Sequence, residues 1–168
     1  MIEKMKAEHQ THEFPPVYDE ASRILILGSF PSVKSREQHF YYGHPQNRFW
    51  KVLARILECE IPATVEDKKE MLLLHHIALW DVIESCDITG SSDSSIRNVV
   101  VNDFNRIFKT AEIRCVYANG ATAKKLYEKY AKKMTEKPIT GLPSTSPANA
   151  AYSVERLMES WIQIKHFL

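Results

Sequence analysis

RILILGSFPSVKSREQHFYYGHPQNRFWKVLARIL, residues 23–57, decides how this chain folds. Ile24, Leu25, Ile26 and Leu27 form an apolar run without alternation, the pattern of a strand buried on both faces of a parallel sheet. The run stops at Gly28-Ser29-Phe30-Pro31-Ser32. A polar, aromatic loop follows, and a helix is expected from about 47 to 58, because Phe49, Trp50, Leu53, Ala54 and Leu57 recur at helical spacing. A strand that breaks into a loop, with a helix behind it, is how α/β proteins build ligand sites.

The same alternation repeats along the rest of the chain. Apolar runs of strand length occur at Ile77–Ile83, Ile113–Ala118 and Pro138–Leu142. Between and after them, helices are predicted from an N-cap at Thr64 to about His75, over Asn98–Lys109, over Ala121–Lys133 and from about 150 to 166. The polar segment from Cys86 to Ser95 reads as a loop. Residues 1–13 read as a loose tail, and Phe14-Pro15-Pro16 as extended chain, since adjacent prolines forbid a helix. The expected architecture is a single α/β domain over residues 1–168, a three-layer α/β/α fold around a central four-stranded parallel sheet. At 168 residues the chain can bury one full core but not two comfortable ones.

Charge neither demands nor excludes a nucleic-acid partner: 22 basic residues face 21 acidic ones, for a net charge of +1. The three cysteines, Cys59, Cys86 and Cys115, lie far apart and match no metal-ligand spacing. His44, His75 and His76 likewise lack partners at ligand spacing, so neither metal nor cofactor is expected. No apolar run is long enough to span a bilayer and the N-terminus has no signal-peptide core. A cytoplasmic protein with no membrane partner is the expectation.

In a parallel sheet, ligands bind beyond the C-terminal ends of the strands. Four segments meet that condition: Gly28–Ser32, the loop after Ile83, Asn119-Gly120, and Leu142–Asn149. Tyr41-Tyr42-Gly43-His44-Pro45-Gln46-Asn47-Arg48-Phe49-Trp50, preceded by Gly28-Ser29-Phe30-Pro31-Ser32, resembles the uracil-DNA glycosylase superfamily. The His-Pro-x-Asn-Arg-Phe-Trp run is similar to the mismatch-specific uracil/thymine glycosylases. The Gly-Ser-Phe-Pro-Ser start and Leu142-Pro143-Ser144-Thr145-Ser146-Pro147-Ala148-Asn149 are closer to the hypoxanthine-DNA (deoxyinosine) glycosylase branch.

That resemblance implies a DNA glycosylase, expected to act as a monomer, and the absence of a lysine placed in the motifs to form a Schiff base makes it a monofunctional one. Its substrate is DNA, double- or single-stranded, containing deaminated bases, hypoxanthine first and uracil second. Many members carry Asp or Asn in the first motif to position the attacking water; here Ser29 and Phe30 stand there. The resemblance moves that role to Asn47. An amide orients water or holds a base edge with a donor and an acceptor together. Gly28, Ser29, Phe30, Pro31, Ser32, Tyr42 and Asn119 are expected to line the base pocket, with Phe30 or Tyr42 stacking on the base. Lys34, Ser144, Thr145, Ser146 and Asn149 are expected to contact DNA, with Arg36 and Arg48 as further phosphate contacts.

Simpler readings stand beside these. Asn47 is by residue type an N-cap for the helix it precedes, and Ser144 and Ser146 suit a proline-bounded turn. Asp81 and Asp93 are candidates to serve a site, with loop solvation or capping as the default reading. A non-catalytic nucleic-acid or nucleotide-binding module on the same fold is the alternative function. A serine hydrolase is weaker, because no Gly-x-Ser-x-Gly elbow is present.

Overall fold

The computed structural model describes residues 6–168. Its strands are β1 (Glu8–Thr11), β2 (Ile24–Gly28), β3 (Ile77–Asp81), β4 (Ile83–Ile88), β5 (Arg97–Val101), β6 (Cys115–Asn119) and β7 (Thr140–Leu142). Its α-helices are α1 (Val33–Gln38), α2 (Phe49–Ile56), α3 (Val65–Leu74), α4 (Asn105–Phe108), α5 (Ala121–Tyr130), α6 (Lys132–Thr135) and α7 (Val154–Trp161). A 3₁₀ stretch, Ile162–Phe167, continues the last helix. No helix among the described residues is long and apolar enough to cross a membrane.

β3, β2, β6 and β7 lie side by side in that order, all parallel. Every residue of β2 and β3 is buried, as strands covered on both faces must be. The step from β2 to β3 runs one way along the sheet, and the step from β6 to β7 runs the other. Right-handed crossovers therefore place their helices on opposite faces. On one, α2 packs with α7, and Phe49 meets Trp161 edge to face with centroids 5.8 Å apart. On the other, Phe104 packs against Trp80 and against Tyr127 of α5. The expected three-layer α/β/α fold with its four-stranded parallel sheet is the one observed.

Local signals set the helix ends. Thr64 caps α3 by accepting from the Asp67 N–H at 3.0 Å, as expected. The last helix starts later than the apolar spacing suggested, at Val154, because Ser153 caps it by accepting from the Arg156 N–H.

A second sheet departs from the sequence reading. β1, β4 and β5 pair antiparallel in the order β1-β4-β5. The loose tail expected over residues 1–13 is therefore corrected. Glu8–Thr11 pair with Ser85–Ile88, while residues 1–5 lie outside the described residues. Cys86, Asp87 and Ile88 belong to a strand rather than to a loop. The helix expected over Asn98–Lys109 is strand up to Val101 and helix only over Asn105–Phe108. The cause is shared: this sheet buries one face only. Ile83, Cys86 and Ile88 pack with Phe30 and Ile96 in a small core of their own, and the opposite face stays polar. Val99, Val100 and Val101 are β-branched and favour the pleated conformation once a partner strand exists.

The second sheet matters because it is joined to the first beside the Gly28 loop. Only Val82 separates β3 from β4. The Val82 and Ile83 N–H groups donate to the carbonyls of Gly28 and Ser29 at 2.8 and 3.1 Å. Strand β1 then carries His12 back over the C-terminal end of β3, where the His12 N–H donates to the Glu84 carbonyl.

Candidate active site

The loops after β2 and β6 diverge toward opposite faces of the sheet, which opens a crevice at the C-terminal strand ends. It is a cup of about 130 Å³. Gly28–Ser32 form one wall, Tyr42 and Asn47 the next, and Ser144–Ser146 the third. Asn119 ends β6 at the cup, and Asp81 and Asp93 complete its lining. All seven residues expected to form the base pocket line this cup, and so does Asn47.

Asn47 precedes helix α2 by two residues, with Arg48 between. Its Oδ1 accepts from the Phe49 N–H at 3.0 Å and from the Thr145 hydroxyl at 2.8 Å. A backbone N–H can only donate, so the first bond identifies which end of the amide is oxygen. The same logic runs through Asn119. The Thr145 N–H donates to Asn119 Oδ1 at 3.0 Å, so Asn119 Nδ2 donates to Thr145 Oγ1 at 2.9 Å. With its oxygen receiving that hydrogen, the Thr145 hydroxyl sends its own proton to Asn47. Both lone-pair sites of Asn47 Oδ1 are thereby filled. Its Nδ2 makes no hydrogen bond among the described residues, and it is the free arm of an amide that lines the cup.

Thr145 is consequently not a DNA contact. It is fully buried, and its hydroxyl, N–H and carbonyl are all engaged. Arg48 is likewise corrected from a phosphate contact to an internal clamp. Its guanidinium donates to the carbonyls of Thr145, Ser146, Asn149 and Tyr152, at 3.3, 2.7 and 3.0 Å to the first three. Asn149 braces the same loop, its Nδ2 donating to the Ser144 carbonyl at 3.0 Å, and it stands outside the capped start of α7. Arg36 is spent on the carbonyls of Pro31 and Gly90. Ser144 and Ser146 line the cup while their oxygens accept from the N–H groups of Ser146 and Ala148. Lys34 lies outside the cup, exposed and paired with Glu37 at 3.4 Å.

The aromatic walls divide their work. Tyr42 stacks one face of its ring on Phe49, with centroids 4.2 Å apart. Phe30 is mostly buried in the second core, and the Arg36 guanidinium lies 5.7 Å from its ring centre. Burial, then the nearby Asp81 carboxylate, holds the phenol of Tyr42 far above its usual pKa, so it remains a protonated donor.

Two carboxylates depart from the default reading of solvated or capping residues. Asp81 is 3% exposed, and its Oδ2 lies 2.8 Å from His12 Nε2. Asp93 accepts from the Ser29 hydroxyl at 3.0 Å. Although the residue as a whole is exposed, it lines the cup beside Ser29. Desolvation is the largest cause raising its pKa, opposed by the bond from Ser29. The signal available for Asp81 was a charge closing an otherwise apolar run; nothing local singles out His12.

Gly28 belongs here for a steric reason. A Cβ on it would lie 2.5 Å from Asp81 Oδ1 and 2.9 Å from Tyr42 Oη. Asp81 is tied to His12 and Tyr42 to Phe49, so neither yields freely. Gly28→Ala is expected to cost about 1–3 kcal/mol of stability, read from the denaturant midpoint, and to displace both groups. An unchanged midpoint would show that the floor of the cup is soft.

A profile of the uracil DNA glycosylase superfamily matches residues 15–165. A parallel α/β sheet bearing this cup is thus that of a DNA glycosylase, a hydrolase of N-glycosyl bonds. The chain belongs to the uracil DNA glycosylase superfamily. It is 36% identical over 155 residues to a hypoxanthine DNA glycosylase of Methanosarcina acetivorans, covering 91% of this chain and 97% of the relative. It is 38% identical over 109 residues to a hypoxanthine DNA glycosylase of Methanosarcina barkeri, covering 64% and 69%. A solution NMR structure from Methanosarcina acetivorans, provisionally described as a uracil DNA glycosylase, superposes with a TM-score of 0.76 at 35% identity, covering 90% of this chain and 93% of that one.

Proposed function

We propose that this chain excises deaminated bases from DNA, hypoxanthine first and uracil second, acting on a base rotated out of the helix. The observation that carries the reading is the amide of Asn47, locked by its oxygen and left with a free N–H₂ in the cup. Breaking an N-glycosyl bond leaves negative charge on the departing base. A fixed donor at that charge stabilises the transition state without reorganising, by about 3 kcal/mol. The names of the two relatives support hypoxanthine as the first substrate. Unpairing and unstacking cost a few kcal/mol, least for weakly paired lesions.

No lysine lines the cup among the described residues, which supports hydrolysis by water rather than through a Schiff base. Action as a monomer is part of the same proposal. The three cysteines are unpaired, in keeping with a reducing cytoplasm. Ser144, Ser146 and Lys34 remain proposed DNA contacts, positioning the strand without reading its sequence. The test is a cleavage panel on duplexes and single strands carrying inosine, uracil, xanthine or mismatched thymine. Release of hypoxanthine fastest is expected; no release from any substrate would refute the reading.

Asp93 is proposed to hold the attacking water, standing beside Ser29 where the first motif lacks an acid. Such a group works ionised, so the rate should rise with pH through an inflection above the ordinary carboxylate value. Asp93→Asn should abolish that inflection. The sign for stability is opposite. A carboxyl whose folded pKa is raised adds stability below its unfolded value, and loses it as pH rises through the folded one. Asp93→Asn should therefore stabilise the protein at neutral pH and give no gain in acid, measured by thermal unfolding at both.

A further inference from the structure

The pair formed by His12 and Asp81 is buried on both sides, at 2% and 5% side-chain exposure, and nothing above assigns it a role. Strand β1 brings His12 from the N-terminal end of the chain onto the end of β3. The ring is packed among Phe14, Tyr41 and Phe30, with centroids 4.4, 5.8 and 6.2 Å away. That aromatic cage holds the imidazole against one oxygen of Asp81. The other oxygen, Oδ1, makes no hydrogen bond among the described residues and lies against Gly28, which lines the cup together with Asp81. Beside it, across Gly28, lies the hydroxyl of Tyr42, buried and without a partner.

An ionised carboxylate is an acceptor and nothing else. Deamination changes the hydrogen-bonding edge of a base in one consistent way. Adenine and cytosine offer an unprotonated ring nitrogen beside an amino group. Hypoxanthine and uracil offer a ring N–H beside a carbonyl. An acceptor-only group opposite the ring nitrogen therefore receives a bond from the deaminated base and meets a lone pair on its parent. Guanine and thymine also carry a ring N–H, so this contact separates the products of deamination from adenine and cytosine specifically.

We infer that Asp81 Oδ1 reads the ring N–H of the flipped base, and that His12 is a positioning residue, delivered by the N-terminal strand, that keeps the carboxylate turned to the cup. The inference rests on the glycosylase reading above and specifies how that same site distinguishes a damaged base from its parent. The buried Tyr42 hydroxyl is the uncommitted donor next to the carboxylate, on the side where the base presents its carbonyl. A site built around such a bond rejects ligands lacking the matching hydrogen by large factors, about 10⁴ or more in favourable cases.

The test uses the full chain and its Asp81→Asn, His12→Gln and His12→Phe variants. Two quantities are read: single-turnover release of hypoxanthine from an inosine duplex, and inhibition or binding by free hypoxanthine against free adenine. Asp81→Asn keeps the shape of the side chain. It should slow release at least about a hundredfold and erase the preference for free hypoxanthine. His12→Gln retains an N–H donor to Asp81 and should keep most of that preference. His12→Phe suits the aromatic cage but donates nothing, and should lose it. A purely structural role for His12 ranks the two variants the other way, or leaves the hypoxanthine-to-adenine ratio untouched. Asp81→Asn with wild-type rate and preference overturns the inference. If wild-type protein releases no base, the glycosylase reading fails on its own, while free-base binding still decides the role of Asp81.

Discussion

Asn47→Ala is expected to lower the single-turnover rate on an inosine duplex by about 10²–10³, the cost of removing one preorganised donor. Two bonds from Phe49 and Thr145 saturate its oxygen, so the group lost to the reaction is the free N–H₂. The same substitution also strips an acceptor from the start of α2. That loss is about 0.5–2 kcal/mol of stability for a capping side chain, too little to unfold a domain of this size. Asn47→Asp separates the two roles. An aspartate still accepts from the Phe49 N–H and the Thr145 hydroxyl, and its charge suits a helix N-terminus. It replaces the free donor with an oxygen bearing negative charge. Stability should hold or rise while the rate falls as far as in the alanine variant. Wild-type turnover in Asn47→Asp would remove the donor role and leave Asn47 a structural residue.

Arg48→Lys should behave almost as badly as Arg48→Ala. The guanidinium reaches four carbonyls of one loop, and an ammonium has neither the reach nor the planar fork to do so. Losing charge-assisted bonds to buried acceptors costs about 1.5–3 kcal/mol each before relaxation. A net loss of about 2–3 kcal/mol is expected in denaturant unfolding. The rate should fall by up to about a hundredfold, since Thr145 is the shared anchor of Arg48 and Asn47 and small misplacements of a catalytic group are expensive. A phosphate contact predicts something else: Arg48→Lys would bind DNA nearly normally, and Arg48→Ala would flatten the salt dependence of binding. An internal clamp leaves that slope unchanged. Wild-type stability and rate in Arg48→Lys would rule the clamp out.

The clamp shows where reading the chain alone stops. Arginine beside a conspicuous loop is a fair phosphate candidate, yet its acceptors lie about a hundred positions away in the chain. Thr145 misleads in the same manner. A hydroxyl in a proline-bounded turn reads as exposed, and only the approach of Asn119 and Asn47 buries it. Tertiary partners, not residue type, decided both.

The central sheet was legible because its strands are buried on both faces, and that burial writes itself into the chain as unbroken apolar runs such as Ile24–Leu27 and Ile77–Leu79. The loops at their C-terminal ends were legible for the same reason, since a buried strand must end where polar and small residues begin. The second sheet left no such trace. Glu84, Ser85 and Asp87 are polar along β4, and β1 is polar throughout, so neither strand has a pattern until the other is beside it. His12 and Asp81 follow from that pairing. The parallel core and the position of the cup are thus readable from the order of residues, and Asn47 from the resemblance that its motif carries. Which end of that amide is bound and which acid stands behind Gly28 emerge on folding, because both depend on hydrogen bonds between segments far apart in the chain.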